Sequence, residues 1–84
     1  MNLEQLRLKI NSIDDQMMDL FKARMALSKE VGMFKKHQGL PILDEKRELE
    51  ILSFRKQKLN DESLWPQYES FLKEIMRLSK EVQK

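Results

Sequence analysis

Arg24 occupies an apolar position. Counting 3, 4, 3, 4 from Leu3 gives Leu3, Leu6, Ile10, Ile13, Met17, Leu20, Arg24, Leu27, Val31 and Phe34, nine apolar side chains and one guanidinium. A guanidinium stays protonated in proteins and is costly to bury without a partner. The seam therefore opens to water at Arg24 or holds an anion there. Ser28 lies one turn further on. Lys35, 11 residues along, returns to within about 20° of the same direction, about 16 Å up the axis. Two long cationic side chains leaning toward each other can bracket one small molecule. Asp44, Arg47, Glu48 and Ile51 share a second face by i, i+3, i+4, i+7 spacing, and Ser79 and Gln83 continue the stripe of Leu72 and Ile75. Arginine forks hold carboxylates in a fixed orientation, while a lysine and an amide can donate to an oxygen that gains negative charge. Nucleophilic or redox chemistry finds no equipment. There is no cysteine, one histidine (His37) and no glycine-rich phosphate cradle. A single histidine cannot build a zinc site, so neither a metal nor a cofactor is expected.

Singly, each of these residues has a structural explanation. An arginine in a seam can set register or snorkel. Asp44 suits a helix N-cap, Arg47, Glu48 and Lys35 can lie solvated, and Ser79 can bond back to its own helix. Gln83 is the second-last residue, in a turn that frays unless a ligand or further chain orders it. Together, three segments each directing cationic or amide groups toward a shared interior suit an anion site better than a purely structural bundle.

The elements that must position these groups are helices. Two glycines and two prolines in 84 residues, with abundant Leu, Met, Lys and Glu, make a helical composition. The spacing predicts helices at about 3–36, 44–58 and 64–83. Gln38-Gly39-Leu40-Pro41 and Asn60-Asp61-Glu62-Ser63 break them, Asp44 caps the second, and Pro66 opens the third. Leu49, Leu52 and Leu59 form the apolar stripe of the second helix. No apolar run is long enough to span a membrane and no signal-peptide pattern is present, so a cytoplasmic location is expected. The net charge of +2 is small, and Lys and Arg alternate with Asp and Glu, which argues against nucleic acid as a partner.

Helix one is too long for a domain of this size. Thirty-four residues at 1.5 Å each span about 51 Å, against roughly 30 Å for a compact globule of this length. The two shorter helices cannot cover the whole seam. The expectation is a single all-α domain over 1–84 that pairs with a second copy as an intertwined two-fold homodimer.

The ordered pieces resemble the all-helical, type II class of chorismate mutases over essentially the whole chain. They are Leu6-Arg7 with Ile10 and Ile13-Asp14, then LFKARMALSKEVGMFK with Arg24, Val31-Gly32 and Lys35, then Pro41-Ile42-Leu43-Asp44-x-x-Arg47-Glu48, and finally Ile75-Met76-x-x-Ser79-x-x-x-Gln83. The resemblance implies rearrangement of chorismate to prephenate, a pericyclic step of aromatic amino-acid biosynthesis that needs no cofactor. It implies that Arg24, Arg47 and the partner chain's Arg7 bind the substrate carboxylates, with Ser79 assisting. Lys35 and Gln83 would donate to the ether oxygen, and Glu48 would take the ring hydroxyl with Asp44 nearby. Arg7 and Arg24 lie 17 residues apart, about 25 Å along one helix. Arg7 can therefore serve an Arg24 site only from an antiparallel second chain, giving shared sites. Related domains are also fused to, or associate with, other shikimate-pathway enzymes. The alternatives are an isochorismate pyruvate-lyase on the same fold, against which the carboxylate of Glu48 after Arg47 argues, and a non-catalytic helical dimer serving as a regulatory or interaction module.

Overall fold

A computed structural model describes all 84 residues and shows three helices, α1 (Leu3–Gln38), α2 (Glu45–Leu59) and α3 (Trp65–Gln83), with no strand. The all-α expectation holds. The ends differ by a residue or two: α1 runs to 38 rather than 36, α2 covers 45–59 rather than 44–58, and α3 starts at 65 rather than 64. α1 gains its extra half-turn because Gly39, at φ +67°, closes it. The Gly39 N–H donates to the Lys36 carbonyl and the Leu40 N–H to that of Lys35, a Schellman stop. At the other end Asn2 and Gln5 form a reciprocal capping box. Asp44 is the N-cap of α2 rather than its first residue, and its carboxylate accepts from the Arg47 N–H at 3.0 Å. Asn60 ends α2 in the left-handed region. Asp61 then orders the turn before α3, accepting from the Ser63 hydroxyl and the Ser63 and Leu64 N–H groups.

α3 packs along the second half of α1, and α2 packs on α3 without touching α1. The molecule is long, 54 × 26 × 16 Å, with a radius of gyration of 15.9 Å, against about 12 Å for a compact domain of this length. Only Met25, Ser28, Gly32, Leu72, Met76 and Ser79 are buried. α1 therefore turns Met25, Ser28 and Gly32 toward α3. Its apolar seam lies beside that strip, and Leu3, Leu6, Ile10, Ile13, Met17, Leu20, Leu27, Val31 and Phe34 all remain exposed. The expected stripe of α2 does not form a buried face: Leu49 is 67% exposed, Leu52 and Leu59 are half-buried, and no residue of α2 is buried. Docking on a single neighbour leaves most of a helix in solvent. No helix is long and apolar enough to cross a membrane.

Candidate active site

Arg24 is half-buried on α1, and its guanidinium donates to the Ser79 hydroxyl on α3. Of the six buried residues, Ser28, Gly32 and Ser79 are small. Burial pushes the Arg24 pKa down from its ordinary value. The like charge of Arg55 pushes in the same direction, and Tyr68 opposes both. A desolvated cation beside a second cation is electrostatically complementary to an anion.

Arg24 opens onto a cavity of about 770 Å³ between the three helices. α1 lines it with Met17, Leu20 and Phe21, α2 with Arg47, Ile51, Phe54 and Arg55, and α3 with Tyr68, Phe71, Leu72 and Ile75. Three guanidinium groups thus meet a mostly apolar surface, with Glu50 the one carboxylate in its lining. Two or more carboxylates on a compact apolar skeleton would match it in charge and in shape.

Lys35, Gln83, Asp44, Glu48 and Arg7 do not line this cavity. Lys35, three residues beyond Gly32, is half-buried and donates from Nζ to the Ile42 carbonyl at 2.8 Å. That bond ties the end of α1 to the following loop and leaves two ammonium donors free for a ligand. Gln83 is half-buried at the end of α3 against Gly32, and its side-chain oxygen is buried with no hydrogen-bond partner. Asp44 is occupied in capping α2. The face expected to carry Asp44, Arg47, Glu48 and Ile51 together divides. Arg47 and Ile51 line the cavity, whereas Glu48 turns to α3 and pairs with Lys80 at 2.8 Å. Arg7 is exposed on the first two turns of α1, far along the helix from Arg24. Its own chain does not bring it to the site.

Two groups escaped sequence reading. Arg55 follows Arg47 by eight residues, just over two helical turns, so extending the Arg47–Ile51 face by one more step would have reached it. Lys80 adjoins Ser79 in sequence but lies on the flank of α3 that meets α2. Only the helix packing reveals its match with Glu48.

Residues 6–84 match the family model described as chorismate mutase type II. The chain is 36% identical over 78 residues to a T-protein from Enterobacter agglomerans, covering 92% of this chain and 21% of that protein. A T-protein from Haemophilus influenzae is 39% identical over 54 residues, 64% of this chain and 14% of the relative. The chain therefore spans about a fifth or less of the length of these curated relatives. Among solved structures, a conserved hypothetical protein from Pyrococcus furiosus superposes with a TM-score of 0.75 at 35% identity, covering 98% of this chain and 95% of the other. With its three helices, its clustered cations and a family match reaching from the second turn of α1 to the last residue, this chain belongs to the chorismate mutase type II family, a family of isomerases.

Proposed function

We propose that the chain converts chorismate to prephenate in aromatic amino-acid biosynthesis, as a cytoplasmic homodimer with two shared sites. The observation that carries this reading is Arg24, partly desolvated, anchored on Ser79 and set beside Arg55 at a cavity that also receives Arg47. The substrate is a flexible dianion that reacts within itself, so an enzyme has two tasks. It must hold the compact, chair-like conformer, and it must stabilise the charge that grows on the ether oxygen as the C–O bond breaks. Arg24 and Arg47 supply fixed forks for the carboxylates, with Ser79 orienting the first fork. Lys35 and Gln83 supply the donors for the ether oxygen. Glu48 accepts from the ring hydroxyl, exchanging its bond to Lys80 for one to substrate. Asp44 keeps the first turn of α2 in register behind Arg47 and Glu48.

The uncovered seam of α1 supports the homodimer. Nine exposed apolar side chains follow one heptad-like line, a pattern that a second helix covers. An antiparallel partner brings its own Arg7 to the level of Arg24. Association with, or fusion to, another enzyme of the same pathway fits the much greater length of the curated relatives. The test is loss of chorismate absorbance on addition of the purified chain, with prephenate as the product. Turnover of isochorismate to pyruvate in place of that reaction would assign the lyase instead, and inertness toward both would leave only a binding module.

A further inference from the structure

Gly32 is buried in the interior of α1 where the end of α3 crosses it. A glycine there costs roughly 0.5–1 kcal/mol relative to alanine in helix stability, so tertiary packing must favour it. A Cβ at this position would stand 2.7 Å from the Gln83 Cα, 2.8 Å from the Gln83 carbonyl oxygen and 3.0 Å from the Gln83 Cβ. Two of these are backbone atoms, so no rotamer change relieves the clash and the last turn of α3 would have to move. A second observation concerns the side chain itself. The buried oxygen of the Gln83 amide has no partner within the chain, so no hydrogen bond at that atom locks the amide in place.

We propose that Gly32 is a positioning residue for Gln83. Its bare Cα is the seat that sets the last turn of α3 on α1 and aims the amide into the site beside Lys35, three residues further along the same helix. The proposal rests on the reading of Gln83 as an ether-oxygen donor. Either orientation of the amide suits it, because rotation by 180° exchanges oxygen and nitrogen in one position.

The test is a double-mutant cycle on chorismate turnover with Gly32→Ala, Gln83→Ala and the pair, joined to amide hydrogen exchange of the chain. Gly32→Ala should lower kcat about tenfold or more, the order expected for a displaced catalytic donor, with KM changed far less. In the Gln83→Ala background the same substitution should cost less than about twofold, since the donor it misplaces is already gone. Exchange at the amides of 80–83 should quicken while those around Met76 keep their protection, which shows that the helix is folded and only its last turn is unseated. Multiplying kcat losses in the double variant, unchanged kcat in Gly32→Ala, or unchanged exchange at 80–83 would each overturn the proposal. Full activity of Gln83→Ala with Gly32 intact would remove the donor role itself, a failure of the mechanism recognisable apart from any failure of the seat.

Discussion

Ile13→Ala probes the seam at its most informative point, because Ile13 lies on the exposed apolar line of α1 and is itself neither a candidate site residue nor part of the cavity lining. In the single chain Ile13 is 55% exposed. Complete burial of an isoleucine side chain is worth roughly 1.5–3 kcal/mol, so covering the exposed half is worth about 0.8–1.6 kcal/mol. Two-fold symmetry counts the residue twice, giving about 1.6–3.2 kcal/mol per dimer. At 1.4 kcal/mol per factor of ten, the dissociation constant should rise roughly ten- to two-hundredfold. Sedimentation velocity over a dilution series reads this directly, and activity per chain should fall on dilution at correspondingly higher concentrations than for the wild type. Helix content at high concentration should be unchanged, since Ile13 is not among the residues buried between α1 and α3. A wild-type chain that stays folded as a single copy across the series, or an Ile13→Ala chain that dissociates at the wild-type concentration, would refute the covered seam and the shared sites together.

Lys35→Ala should lower kcat by about 100-fold or more, as removal of a transition-state donor does. Steady-state kinetics showing only a raised KM would take Lys35 out of that role. Arg7→Ala and Arg24→Ala chains, each inactive alone, should regain activity on mixing and subunit exchange, because a mixed dimer keeps one intact site; continued inactivity would contradict two-chain sites. Asp61 accepts three hydrogen bonds in the turn before α3, and the Ser63 hydroxyl foremost among them holds its carboxyl below the ordinary value. A depressed folded-state pKa contributes stability above the unfolded value, near 3.9, that is lost as pH falls through the lower folded one. The melting temperature of the wild type should therefore fall more steeply than that of Asp61→Asn on acidification from pH 5 to pH 3, and parallel curves would deny the turn that role.

Helix positions were legible because their signals are local. Asp44, Gly39, Asn60 and Pro66 each act through the backbone of their own turn, so type and spacing suffice to find them. Arg24 was legible for a different reason: a charge in an apolar line is conspicuous without knowing what it faces. The residue faces were harder. Sequence periodicity finds the longest apolar line on α1, yet α3 packs on the neighbouring strip of Met25, Ser28 and Gly32, of which Ser28 and Gly32 are small and carry little hydrophobic signal. Glu48 and Lys80 show the same limit. Their pairing depends on the rotation of α2 against α3, which no single-helix pattern contains.

α2 rests on α3 alone, has no buried residue and yet brings Arg47 to the cavity. Such a helix is held by few interactions besides its own hydrogen bonds, so its local opening is cheaper than unfolding of the chain. A ligand held by both Arg24 and Arg47 would bridge α1 and α2 across the cavity and supply contacts that the polypeptide leaves out. Occupancy would then be written in the amide protection of residues 45–59, which would rise with ligand concentration as a local binding isotherm, while the α1–α3 pair would report the stability of the scaffold.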